Sequence, residues 1–159
     1  LDAFFTWLEA TSIATWTRTS PSIWAYPTIL TLHTVGLGIV VGASAVIDLR
    51  LLGYGRRIAL PTLLPLFRII WWAFALNAAS GIVLFMSEAT TKGKQPVFFI
   101  KLTLIALAVV TTALMTRLMT PSASADDVAA PGARGKSMAI ASLLLWAGAI
   151  TAGRLMAYL

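Results

Sequence analysis

The sequence predicts an all-α integral membrane protein, a four-helix bundle carrying an N-terminal amphipathic helix in the membrane interface. Three observations lead there. Hydrophobic residues make up 58% of the 159 positions and charged residues only 11%, with a mean hydropathy of +0.85, which leaves too little polar surface for a water-soluble domain of this size. Four segments reach the length of about 20 apolar residues that a helix needs to cross the hydrocarbon. The basic residues gather beside the ends of those segments.

Taken in chain order, residues 1–20 come first. LDAFFTWLEATSIATW sets Leu1, Phe5 and Leu8 on one helical face, with Asp2, Thr6 and Glu9 elsewhere. That segment is too short and too polar to span, and its pattern predicts a helix lying in the interface; a disordered tail is the alternative. The spans are expected over about 27–49, 66–86, 96–119 and 137–159, in a single transmembrane domain. Pro27 and Pro96 suit the first turn of a helix, where the missing N–H has no partner to lose. Residues 53–65, GYGRRIALPTLLP, form a short basic connection. TTKGKQ at 90–95 and the small, polar PSASADDVAAPGARGK at 121–136 are read as loops, the second as a mobile one. The chain starts at Leu1 rather than Met, so the gene product is expected to begin upstream, and no secretory signal is visible.

Arg50, Arg56, Arg57, Arg117, Arg134 and Lys136 flank the connections at 49–66 and 120–136, against Arg18, Lys92 and Lys94 on the other side. The positive-inside rule puts the first group in the cytoplasm and both termini outside, in a bacterial inner membrane. The basic residues lie singly beside apolar runs rather than in an aromatic-rich patch, which argues against nucleic acid. The absence of cysteine excludes disulfides, thiolate metal sites and covalent c-type haem attachment.

Ionisable residues inside a span cost about 2.5–3.5 kcal/mol each and call for a partner or a task. His33 lies six residues past Pro27, Lys101 five past Pro96, and Arg154 five before the end of the chain. At 1.5 Å per residue, all three lie roughly 7–9 Å below the outer surface. His33 shares a helical face with Tyr26, Gly36, Val40 and Ser44; Lys101 with Ile105, Ala108, Thr112, Met115 and Met119; Arg154 with Ala147, Ile150 and Tyr158. Gly36, one turn from His33, is expected to let a flat ligand approach the backbone. Gly38 and Gly42 form a GxxxG pair on the opposite side, a packing surface either within the monomer or between copies. Three basic groups at one depth without a buried carboxylate suggest that a ligand brings the negative charge. Set against this, a lone histidine can simply hydrogen-bond a neighbouring helix, Lys101 and Arg154 can snorkel to water, and Met115 and Met119 can be core filler. Asn77 and Ser80 lie on one side of the second span, as interhelical hydrogen-bonding groups or a polar lining, and Trp71 and Trp72 suit packing or the inner belt. At the cytoplasmic end, Asp48 is expected to pair with one of Arg50, Arg68 or Arg117, the others meeting lipid phosphate.

TLHTVGLGIVVG followed by IDLRLLG, then FFIKLTLIAL in the third span, resembles a group of small bacterial four-helix membrane proteins. That group includes the HemJ-type protoporphyrinogen oxidases and the copper-resistance D-like proteins. YPTILTLHTVGLG and WWAFALNAASGIVLF look like the signatures of an uncharacterised branch. The resemblance covers the first three spans and implies b-type haem, with His33, Arg50 and Lys101 at the matching positions. The chain departs from the HemJ type in lacking further histidines and a tryptophan-rich stretch after the first one, which bears on oxidase activity more than on haem.

The leading expectation is therefore a haem-b-binding membrane protein active in electron transfer or membrane oxidation. His33 would be an axial ligand and Lys101 either the second ligand or, with Arg154, a holder of the propionates. Two other readings stay open: a non-redox accessory or structural subunit, and a quinone site between Tyr26, His33 and Lys101. Copper is a poor fit, because one histidine with scattered methionines falls short of a ligand set. The expected partners are membrane lipid, a second copy or a larger membrane complex, and an unidentified redox partner.

Overall fold

The computed structural model describes residues 1–55, 57–119 and 132–158. Its described secondary structure is helical throughout. Four helices are long and apolar enough to cross a membrane: α3 (Tyr26–Leu52), α4 (Leu64–Ser87), α6 (Pro96–Met119) and α7 (Ala133–Leu155). Three short ones accompany them, α1 (Asp2–Glu9), α2 (Ser12–Thr19) and α5 (Ala89–Lys92), with a 3₁₀ turn at Leu60–Leu63 leading into α4.

Proline sets the starts. Pro27 and Pro65 occupy the first turns of α3 and α4, and Pro96 opens α6, where no intrahelical donor is sacrificed. α3 ends at Gly53, whose φ of 105° is left-handed. There Gly53 N–H donates to Arg50 O and Tyr54 N–H to Leu49 O at 3.2 and 3.0 Å, the paired bonds of a Schellman cap.

The N-terminal segment differs from the single interfacial helix its pattern suggested. It breaks at Ala10–Thr11, where Thr11 is extended (ψ 149°), and its two helices fold over the end of the bundle that bears the α4–α6 connection. Contacts supply the reason. Glu9 Oε1 accepts hydrogen bonds from the Thr90 amide at 2.8 Å and the Thr90 hydroxyl at 2.7 Å. Arg18 lies 3.6 Å from Glu9 and donates to Ser87 O at 3.3 Å. Ala14 and Thr17 are wholly buried, while Phe4, Trp7, Ile13 and Trp16 are left exposed beside the span ends, as the interface requires. The Thr90 amide, then its hydroxyl and the Arg18 charge, hold the Glu9 carboxyl below the ordinary glutamate value.

Within the bundle, α3 packs on α4 and α7, α6 packs on α7, and α4 meets α6 only sparsely. The buried apolar cluster occupies one half: Val40, Ile47 and Leu51 of α3, Phe67 and Ile70 of α4, Ala108 and Met115 of α6, Ala139 and Trp146 of α7. That half holds the ends of α3 and α6 and the starts of α4 and α7, so it is the end marked by Arg50, Arg68, Arg117 and Arg134. Met115 and Met119 are core packing there. Trp72 is largely exposed beside Ile69 on the lipid-facing side of α4.

Three expectations need correction. The last span begins at Ala133 rather than 137 and ends at Leu155, so the second loop is shorter than its composition suggested; its residues 121–131, with Arg56 and Leu159, lie outside the described residues. Gly38 and Gly42 have nothing within 4 Å of the position a Cβ would take, so the GxxxG face packs against no described part of this chain. Asp48 is 1% exposed, and among the described residues neither carboxylate oxygen has a hydrogen-bond partner or an arginine. Arg68 and Arg117 point outward, and the Arg50 Nε donates to Ile58 O at 2.6 Å, because α3 turns Asp48 inward and its basic neighbours out.

A candidate cofactor site at the α4–α6 end of the bundle

His33 is held by α4. Its Nδ1 lies 2.9 Å from Asn77 O, and because a carbonyl only accepts, the ring proton sits on Nδ1. The Asn77 side chain returns the contact, its Nδ2 donating to His33 O at 2.7 Å. Ser80 Oγ, 3.3 Å from Nδ1, donates to Leu76 O at 2.7 Å and is one turn from Asn77 on the same face of α4. Two glycines make this approach available. A Cβ on Gly81 would come within 3.0 Å of His33 Cε1, and one on Gly36 within 3.2 Å of Ala73 O and of the Asn77 backbone nitrogen. Gly36 therefore admits α4 to α3 instead of opening α3 to a ligand, which corrects its expected role.

With Nδ1–H engaged, Nε2 carries the imidazole's free lone pair, and no described residue bonds to it. The ring lines a cavity of about 360 Å³ whose walls come from all four spans, among them Asn77, Phe85, Phe98, Lys101 and Arg154. It occupies the half of the bundle that the apolar cluster leaves, next to the sparse α4–α6 seam. Phe85 and Phe98 stack across that seam at 4.6 Å. Phe5 of α1 meets Phe85 edge-on at 6.0 Å, so the N-terminal helices brace the same corner.

Lys101 and Arg154, predicted from their depth, and Tyr26, predicted from sharing the helical face of His33, line this cavity with His33. Lys101 runs beside Gly153, where a Cβ would lie 3.6 Å from Nζ. Arg154 occupies the last turn of α7 with its guanidinium 5.6 Å from the Tyr158 ring centroid; it is nearer the helix end than its count from Leu159 implied, because residues 156–158 form a turn. Among the described residues neither Lys101 nor Arg154 has a carboxylate within ion-pair distance. Lys92 and Glu88, on the rim, pair with each other at 3.8 Å, and Lys92 also donates to Met156 O at 2.8 Å. Sequence reading assigned Lys92 and Glu88 to a loop and missed Gly81 and Gly153, since a glycine's role against a neighbouring helix leaves no periodic signal.

No three His, Cys, Asp or Glu side chains converge among the described residues. In comparisons with family models, curated proteins and solved structures, none matches this chain.

Proposed function

We propose that the chain is a multi-pass membrane protein that binds b-type haem at this cavity and serves electron transfer or membrane oxidation. The observation that carries the reading is the His33 ring, with Nδ1–H donated to Asn77 O at 2.9 Å and Nε2 uncommitted beside a cavity walled by cations and apolar side chains. A histidine that ligates a metal through one nitrogen is oriented by a carbonyl on the other, and the Asn77 carbonyl fills that role. Lys101 and Arg154, lacking internal carboxylates, suit the two propionates, by charge-assisted hydrogen bonds that are strong in low dielectric. About 360 Å³ is at the small end of ligand cavities, so a macrocycle would use the α4–α6 seam with one edge towards lipid. The haem would supply one-electron redox chemistry. The protein's own contribution is to fix the ring, exclude water with Phe85 and Phe98, and place positive charge at the rim.

By the positive-inside rule we place the end bearing Arg50, Arg57, Arg117, Arg134 and Lys136 in the cytoplasm of a bacterial inner membrane. The cavity and the α1–α2 cap then face outward, as do both termini.

Protein purified from haem-supplied cells tests the reading by its oxidised and reduced absorption spectra. A Soret band that shifts on reduction and disappears in His33→Ala is expected. A colourless wild-type protein overturns the proposal, and quinone in its organic extract would then assign the same cavity to a quinone among Tyr26, His33 and Lys101.

A further inference from the structure

Hydroxyl side chains within a buried helix ordinarily donate back to a carbonyl of the preceding turn. In the four spans Thr31, Thr34, Ser80, Thr103, Thr111, Thr112 and Thr151 do so, at 2.7–2.9 Å. Ser44 and Ser142 depart from this. Each is buried, 4% and 1% exposed, and each hydroxyl oxygen is without a hydrogen-bond partner. They flank the Asp48 carboxyl: Ser44 is one turn earlier on α3, and Ser142, on the buried face of α7, lies beside it without a hydrogen bond between the two. Trp146, one turn beyond Ser142, adds a buried Nε1–H without an acceptor. Four residues on two facing helices thus leave four oxygens and one N–H unpartnered, about 22 Å along α3 from His33 at 1.5 Å per residue.

A bare carboxylate in the hydrocarbon is costly enough to require neutralising, by a proton or by a counter-charge, and Arg68 and Arg117 turn outward while the Arg50 Nε bonds Ile58 O. We propose that Asp48, Ser44 and Ser142 form a binding site for a small monovalent cation, sodium, between α3 and α7 in the inner half of the bundle. The chemistry selects that class. All the available ligand atoms are hard oxygens, which suit alkali and alkaline-earth ions rather than soft metals. One carboxylate balances a single positive charge, whereas a divalent ion would leave a net charge buried. The indole N–H cannot ligate a cation; it serves the second carboxylate oxygen or a ligating water. The site is separate from the outer cavity and does not depend on haem.

Thermal unfolding of the detergent-solubilised protein in sodium chloride, against choline chloride at equal ionic strength, tests this. Sodium is expected to raise the midpoint, by about 2–6 °C per tenfold increase above saturation. Asp48→Asn is expected to abolish the difference and Ser142→Ala to move it to higher sodium. Equal midpoints in the two salts, or a sodium effect that survives in Asp48→Asn, overturns the proposal. Should Asp48→Asn fail to fold, infrared spectra of the wild type and of Glu9→Gln decide: a protonated-carboxyl stretch that both proteins keep in saturating sodium overturns the proposal, and its replacement by a carboxylate band on adding sodium supports it.

Discussion

Gly36 and Gly38 lie two residues apart on α3 and face opposite environments, so the same substitution should act on them in opposite directions. A methyl on Gly36 would sit 3.2 Å from Ala73 O, Asn77 Cβ and Asn77 N, whereas one on Gly38 meets nothing within 4 Å. Comfortable carbon contacts begin at about 3.5 Å, so Gly36→Ala forces α3 and α4 apart by a few tenths of an ångström. The obstructing atoms are helix backbone and cannot rotate aside. Overpacking of this kind costs about 1–3 kcal/mol, offset by about 1 kcal/mol from replacing glycine by alanine within a helix. Gly38→Ala receives the second effect without the first. The two variants should therefore differ by about 1–3 kcal/mol, or about 2–12 °C in unfolding midpoint for a chain of this size.

The same displacement acts at Asn77, whose carbonyl holds His33 Nδ1 at 2.9 Å. Stretching that bond towards the end of the hydrogen-bonding range at about 3.2 Å loosens the ring, so Gly36→Ala should also retain less pigment than Gly38→Ala. Tryptophan fluorescence during heating and the ratio of Soret to protein absorbance give the two readouts from one sample. A Gly38→Ala protein less stable than Gly36→Ala would refute the assignment of faces. If that loss came with a fall in oligomer mass, it would show that the Gly38–Gly42 face is buried against a second copy.

Lys101→Met and Arg154→Gln should each weaken haem retention about tenfold or more, the scale of one charge-assisted hydrogen bond, while leaving the position of the Soret band unchanged; a band displaced in Lys101→Met would make Lys101 an iron ligand instead. Gly81→Ala, whose methyl would meet His33 Cε1 at 3.0 Å, should lower pigment content with little effect on folding, checked by absorbance at matched protein yield. The Glu9 carboxyl is held below its ordinary value of about 4.3 by Thr90 and Arg18, so its contribution to docking the N-terminal helices is complete above that pH and lost as pH falls through the depressed value. Trp7 and Trp16 emission should show that acid transition, and Glu9→Gln should remove it.

The membrane class and the number of spans were legible because they depend on composition and on run length alone. That His33, Lys101 and Arg154 gather at one end of the bundle was also legible by counting residues along the helix axes, although Arg154 lies nearer its helix end than the count implied. Helical faces were harder to read. A span that is apolar on every side carries no stripe to distinguish lipid from protein, so Gly36, which packs on α4, was read as room for a ligand, and Gly38, which packs on nothing described, as a packing surface. The break between α1 and α2 was hidden for another reason: it is fixed by Glu9 reaching Thr90, 81 positions away in sequence, and no local pattern encodes such a contact. Asp48 was misread because arginines adjacent in sequence seemed the natural partners, whereas helix geometry turns Arg50 away from its neighbour's side.

In lipid, apolar contact gives helices little preference for one another over the acyl chains, so polar atoms and close approach between small residues decide which helices pair. α3 carries both kinds of information, and it is the most buried of the four spans. Near its start, Gly36 and the His33–Asn77 hydrogen bonds tie it to α4. Further along, it packs on α7, with the buried Asp48 beside Ser142. The two attachments lie at opposite ends of one helix and recruit different neighbours, while α6 joins through α7 and meets α4 only sparsely. This explains where the cavity forms. At the end where α3 finishes, Val40, Phe67, Ala108 and Trp146 close the centre; at the end where α3 starts no helix is pulled across from α4 to α6, and the opening left there is the one His33 lines. Substituting Asn77 by leucine keeps the main-chain carbonyl that holds His33 Nδ1 but removes the Nδ2 bond to His33 O, so it should weaken the pairing of α3 with α4 without itself freeing the ring.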